Sequence, residues 1–228
     1  MIALVALFVL ILILVLWPSY WVRTVLRRHE AARPDLPGTG GELAEHLKKT
    51  LKLDVSVAMT DGGDHFDPTS QTVALSKGNF HGKHLTAVAT AAHEIGHAIQ
   101  WHTKDPQLMR RTELVSAAVW VARASQISLI LIAVFHLIPG GVIIGRLFLI
   151  PVILGMFFNT LVHLITLPVE WDASFSKALP LLISGEYIAE TDVAAVKQIL
   201  RACALTYVAS AALSLLSFSN LIRIIRRG

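Results

Sequence analysis

Thr90-Ala91-Ala92-His93-Glu94-Ile95-Gly96-His97-Ala98-Ile99-Gln100 is the stretch from which the rest of the chain is read. Two histidines stand four residues apart, and a glutamate follows the first. On an α-helix a four-residue step returns side chains to one face, so His93 and His97 can grip one metal ion while Glu94 leans over its open side. The flanks Ala87-Val88-Ala89 and Ala98-Ile99 are small, apolar and free of proline, as a buried helix requires, and Gly96 admits a neighbouring backbone. Ionisable groups in an apolar helix are costly unless something satisfies them, and a metal ion does so for both imidazoles at once. The stretch predicts a metal-binding helix over 85–101 and the site of a zinc hydrolase, with Glu94 as its catalytic carboxylate.

The composition places that helix in an unusual setting. Of 228 residues, 54% are hydrophobic and only 16% charged, with a mean hydropathy of +0.60, outside the range of an ordinary soluble domain. A lone Cys203 in an apolar segment excludes a disulfide framework and a cysteine-based zinc site. The net charge of +4 comes from Arg and Lys gathered beside hydrophobic segments, which suits anionic lipid headgroups. No nucleic-acid motif accompanies it, so the lipid bilayer is the expected partner and nucleic acid is not.

Ile2 to Trp17 is almost unbroken apolar sequence, and with Pro18 to Val22 it reaches the roughly 20 residues a bilayer demands. No basic residue precedes it and no small-x-small cleavage site follows, so it reads as a retained anchor over 1–22. Trp17, Tyr20 and Trp21 form an interfacial belt, and Arg23, Arg27 and Arg28 put this end in the cytoplasm. The catalytic region is expected over 28–112. It begins with a Pro/Gly linker and a short helix from Glu42 to Leu53. Two strands at Leu53–Met59 and Thr72–Ser76 then suggest a small hairpin, with Asp64-His65-Phe66-Asp67-Pro68 as its turn.

Beyond Asp105-Pro106, the basic pair Arg110 and Arg111 marks a second cytoplasmic boundary. A transmembrane hairpin is expected over 114–167, with its return turn at Pro139-Gly140-Gly141. A hairpin brings the chain back to the side it left, so a segment over 168–200 emerges beside His93 and His97. Within it, Gly185 to Leu200 reads as a surface helix capped by Thr191 and Asp192. A fourth transmembrane or interfacial helix is expected over 202–219. The tail arginines Arg223, Arg226 and Arg227 then fall on the side that the positive-inside rule disfavours.

Catalytic zinc takes three protein ligands and keeps one position for water, so the histidine pair needs a partner. Glu170 is the preferred third ligand, because it follows a membrane span directly and Pro168 is compatible with a helix start that presents it early. Asp172 is the near rival, or a brace for a histidine, and His163 is the next. The other histidines read as turn, surface or interface residues. The oxyanion of the reaction needs a donor beyond zinc, for which Tyr187, His65 and His163 are the candidates.

Asp64-His65-Phe66-Asp67-Pro68, the helix motif, and Leu167-Pro168-Val169-Glu170-Trp171-Asp172-Ala173-Ser174 together resemble the YugP-type membrane neutral zinc metallopeptidases. The resemblance covers most of the chain. It implies a gluzincin-like protease in a bacterial envelope, with His93, His97 and Glu170 on zinc and Glu94 as catalytic carboxylate. More distant membrane proteases carry a Glu-x-x-x-Asp motif, and this sequence has Ser174 where that Asp would stand. Any supporting role of that Asp falls here to Ser174 or Asp172.

The fold expected is mainly α: an integral membrane protein of about four transmembrane or membrane-associated helices with a small α+β zincin-like catalytic portion. The function expected is a membrane-bound zinc metalloendopeptidase, acting on proteins or peptides near the bilayer surface from the cytoplasmic side of a bacterial cell membrane. An accessory membrane protein or a second copy of the chain is compatible with that reading. The alternative is a non-catalytic zinc-binding scaffold or adaptor, against which the intact Glu94 argues. A metal transporter is disfavoured because the spans offer few polar ligands near the bilayer midplane.

Overall fold

The computed structural model describes residues 2–209. Helix α1 (Ile2–Arg28) runs beyond the expected end of the anchor, continues through Pro18, and closes on Arg27 and Arg28, whose charges suit a helix C-terminus. Helix α2 (Gly40–Thr50) starts at a capping box. The Glu42 amide donates to the Thr39 hydroxyl at 3.2 Å, and the Thr39 amide donates to the Glu42 carboxylate at 2.8 Å.

Three short strands follow, β1 (Ser56–Thr60), β2 (His65–Asp67) and β3 (Thr72–Ser76), in the spatial order β1-β3-β2. The expected hairpin between the first and last of these is corrected: β1 and β3 pair in parallel, and the antiparallel partner of β3 is β2. The reason lies in the segment read as the turn. His65–Asp67 is itself extended and occupies the free edge of β3. The turn comes later, where Asp67 accepts from the Thr69 amide and the Ser70 hydroxyl. Asp64, directly before β2, accepts from the Ser76 amide at the end of β3 and from Asn79 beyond it.

Helix α3 (Lys77–His81) leads to α4 (Leu85–His102), which carries the histidine pair and is buried on almost every side. A helix so uniformly apolar can only be a central one. It ends in a Schellman motif: Lys104 is left-handed at φ 52°, the Asp105 amide donates to Gln100 O at 2.8 Å, and the Lys104 amide donates to Trp101 O at 3.1 Å. Asp105 then accepts from the Gln107 and Leu108 amides and Pro106 takes the first position of α5 (Pro106–His136).

The expected third helix is broken at Phe148 into α6 (Val142–Leu147) and α7 (Leu149–Trp171). Pro168, read as a helix start, lies inside α7. Only one backbone donor is lost there, and the helix passes through it towards Glu170. A π-helical segment, Asp172–Ala178, continues into α8 (Leu179–Ser184), and a 3₁₀ turn at Glu190–Asp192 opens a last helix, α9, over 193–209.

Two corrections concern this region. α9 starts at residue 193 and not at Gly185, and it is amphipathic, with Val196, Ile199 and Leu200 fully buried and Ala194, Lys197 and Gln198 exposed. Asp192 does not cap it: the carboxylate takes both arms of the Arg33 guanidinium, at 2.9 and 2.8 Å. Residues 210–219 of the expected fourth span, and Arg223, Arg226 and Arg227, lie outside the described residues.

The chain divides into two compact units. One holds Arg110–Thr166 together with the described residues at the two ends of the chain. Within it Ser125 of α5 donates to the Pro151 carbonyl of α7 at 2.9 Å, and Phe135 stacks on Phe148. Among the described residues, two helical runs are long and apolar enough to cross a membrane, Pro106–His136 and Val142–Ser184, the second interrupted only at Phe148.

The other unit comprises Trp17–Met109 and Leu167–Thr206. Its core gathers Leu43 and Leu47 of α2, Val73 and Leu75 of β3, Val88 and Ile95 of α4, Leu182 of α8 and Ile199 of α9. α4 packs most extensively on the π segment, and Gly96 sets that approach. A Cβ at Gly96 would stand 2.6 Å from the carbonyl oxygen of Ala173, which is backbone and cannot swing aside. Gly96→Ala is therefore expected to push α4 from the π segment and cost about 1–3 kcal/mol. A thermal melt in detergent checks this, and an unchanged midpoint would show that the two elements do not depend on the contact.

Candidate active site

Helix α4 brings His93 and His97 onto one face, with ring centroids 4.7 Å apart. The end of α7 delivers Glu170 between them. Its Oε2 lies 3.2 Å from His93 Nε2 and 3.1 Å from His97 Nε2, while its Oε1 is buried with no hydrogen-bond partner. Three donor atoms, one from each residue, fall within 4.8 Å of one another, and all three residues are buried. One metal ion can bridge atoms at that spacing. A carboxylate oxygen buried without a partner is costly in a site built only of protein, and a cation supplies what it lacks.

The far side of each imidazole is held as firmly. Ser174 lies on the π segment, four positions after Glu170 and on the same helical face. Its hydroxyl donates to the Leu200 carbonyl at 3.1 Å, so its oxygen accepts from His93 Nδ1–H at 3.0 Å. On the other ring, His97 Nδ1–H donates to Gln100 Oε1 at 2.9 Å. The Gln100 amide nitrogen in turn donates to the Val169 carbonyl at 2.9 Å and to Asp172 Oδ2 at 2.8 Å. Both rings thus donate through Nδ1 and turn Nε2 towards Glu170, the orientation that a metal ligand needs.

Burial pushes the Glu94 carboxyl up, against the pull of His93 and His97. At His97, burial disfavours the charged ring, but the neighbouring Glu170 carboxylate outweighs that and holds the imidazolium up to about 9.

The structure thus brings together His93, Glu94, His97 and Glu170. Asp172 is not among the converging donors. It receives Gln100 and, at 3.1 Å, the Lys177 ammonium. His163 belongs to the other unit, its ring 6.1 Å from Tyr207. Of the oxyanion candidates, Tyr187 meets His46 edge-on and His65 bonds the Gly63 carbonyl. Two roles were not read from the sequence. His84 caps α4, accepting from the Ala87 amide through Nδ1. Gln100 orients His97, and its signal was an amide three residues after His97 in an apolar helix, where a polar group must find a partner.

A protein family described as "Putative neutral zinc metallopeptidase" matches residues 4–226. The chain belongs to this family. It is also 32% identical over 216 residues to the "Putative membrane protease YugP" of Bacillus subtilis (strain 168), an overlap of 93% of this chain and 92% of that protein. No solved structure matches. Zinc is the metal that membership of this zinc metallopeptidase family implies, and two imidazoles with one carboxylate are a donor set suited to it. The relative's description and the two long apolar helices both point to membrane association.

The ionisation of His97 tests these electrostatics directly. Glu170→Ala removes the largest charge that opposes burial and leaves the smaller support of Glu94 and Gln100, so the His97 imidazole is expected to fall from about 9. A histidine NMR titration of chelator-treated protein in detergent reads the shift. A His97 that titrates unchanged without Glu170 would refute the coupling.

Proposed function

We propose that the protein is a membrane-bound zinc metalloendopeptidase in which His93, His97 and Glu170 hold the metal and Glu94 is the general base. The observation that carries this reading is the convergence of three buried donors on one point, with Glu170 Oε1 left without a partner. A non-catalytic scaffold could use the same three ligands, but it has no use for a fourth, buried acid next to the first histidine.

A zinc ion bound there supplies polarisation of a scissile carbonyl and acidification of a water. The rest falls to side chains. Ser174 and Gln100 accept from the two Nδ1 atoms and so aim Nε2 at the metal position, which sets the ligand atoms before substrate arrives. Glu94, its carboxyl raised by burial, accepts a proton from the attacking water and delivers it to the leaving nitrogen. Burial of all four residues keeps bulk water from competing.

The proposed substrates are proteins or peptides presented near a bilayer, a reading supported by the apolar helices and by the relative's description as a membrane protease. The basic clusters Arg23, Arg27, Arg28 and Arg110, Arg111 favour a site facing the cytoplasm of a bacterial cell membrane, through the positive-inside rule.

The test is zinc content and hydrolysis on detergent-purified protein, with casein and a membrane-protein loop as substrates. Wild type is expected to carry about one zinc per chain and Glu170→Ala almost none. Glu94→Gln is expected to retain zinc and lose about 10²–10⁴-fold in rate. Zinc surviving in Glu170→Ala would remove Glu170 from the ligand set. Cleavage unaffected by Glu94→Gln would end the general-base assignment, and zinc binding with no cleavage by wild type would favour the scaffold.

A further inference from the structure

We infer that Asp172 and Gln100 form a positioning pair that decides which nitrogen of His97 is offered to the metal: Asp172 holds the Gln100 carboxamide with its oxygen, not its nitrogen, against His97 Nδ1. The inference rests on the zinc reading above.

A carboxamide is nearly symmetric in shape, and a half-turn about its last bond exchanges an acceptor for a donor at the same place. With the oxygen towards His97, at 2.9 Å, Nδ1 carries the proton of the neutral ring, so that Nε2, 3.1 Å from Glu170 Oε2, is the nitrogen that can give its lone pair to a metal. With the nitrogen there, Nδ1 would have to accept, and the proton would sit on Nε2, where a metal must bind. Nothing in the His97 contact alone prevents that turn.

The far side of the amide prevents it. The Val169 carbonyl and Asp172 Oδ2, at 2.9 and 2.8 Å, are both acceptors, and only the NH₂ group can serve them. Asp172 is held as a carboxylate by Lys177 at 3.1 Å. Gln100 has no solvent exposure, so no water can repair a wrong orientation. The arrangement also keeps negative charge at a distance. A carboxylate directly on His97 would add a third acid to a buried site that already holds Glu94 and Glu170. The neutral amide transmits the orientation set by Asp172 and leaves its charge at the half-buried edge.

The experiment measures the zinc dissociation constant by chelator competition on full-length protein in detergent, with circular dichroism to verify folding. Asp172→Asn keeps the shape but lets the amide turn, and is expected to weaken zinc about tenfold. Gln100→Leu is expected to weaken it about 10–100-fold. The decisive variant is the double Gln100→Glu, Asp172→Asn. Its carboxylate at position 100 accepts from His97 in either orientation, while the amide at position 172 donates to it. Zinc affinity is expected to recover above that of the weaker single variant but short of wild type, because the second carboxylate oxygen at position 100 meets the Val169 carbonyl and adds buried charge.

A loss of general packing would not be rescued in this way. Should Gln100→Leu fail to fold, the near-isosteric Asp172→Asn and the double variant decide the matter. Single variants that bind zinc within about twofold of wild type, or a double variant no tighter than the weaker single, would overturn the inference. Wild type that binds no zinc would instead overturn the proposed function, and this inference with it.

Discussion

The Oε2 atom of Glu170 lies between the Nε2 atoms of His93 and His97, and no water reaches any of the three residues freely. Ionisable groups in such a place are tolerated only when each is matched. The surrounding fold can be understood as the means of matching them. α4 must be almost wholly apolar to sit at the centre, and its two histidines and Gln100 gather on the face that meets the end of α7 and the π segment. Gly96 lets the Ala173 backbone come close enough for Glu170 and Ser174 to reach the two rings.

The partners of the rings are neutral. A serine hydroxyl on one side and a carboxamide on the other accept the two Nδ1 protons, and the single carboxylate of this outer layer, Asp172, is displaced to the edge beside Lys177. Ser174 therefore supports His93 without a charge of its own. It can do so because its own proton has a destination in the Leu200 carbonyl of α9. The site thus draws on three separated parts of the chain: α4, the end of α7 with its π continuation, and α9.

Membrane character and catalytic chemistry occupy different parts of the sequence. Pro106–His136 and most of Val142–Ser184 are apolar along lengths that suit a bilayer, whereas the donors lie where that hydrophobicity is interrupted. Membership of a zinc metallopeptidase family over residues 4–226 spans both parts.

Much of this was legible in the residues. The histidine spacing, the apolar flanks and the absence of proline made α4 and its two imidazoles readable, because a helix of regular pitch is determined by local chemistry. Glu170 was readable as a carboxylate emerging beside a span, whereas the capping box at Thr39 and Glu42, which starts α2 at Gly40 and not at Glu42, was not read. The sheet was not readable in the same way, because β1 and β3 are joined in parallel across an intervening strand whose sequence also suits a turn. Nor were the partners of Asp192 and Asp172, which lie on other elements. The sequence by itself determined which helix carries the chemistry and which side chains are chemically able to bind a metal. Only the tertiary structure decided which oxygen meets which nitrogen, and which neutral groups orient the rings, since hydrogen bonds between distant segments depend on the distance of closest approach, and packing sets that distance.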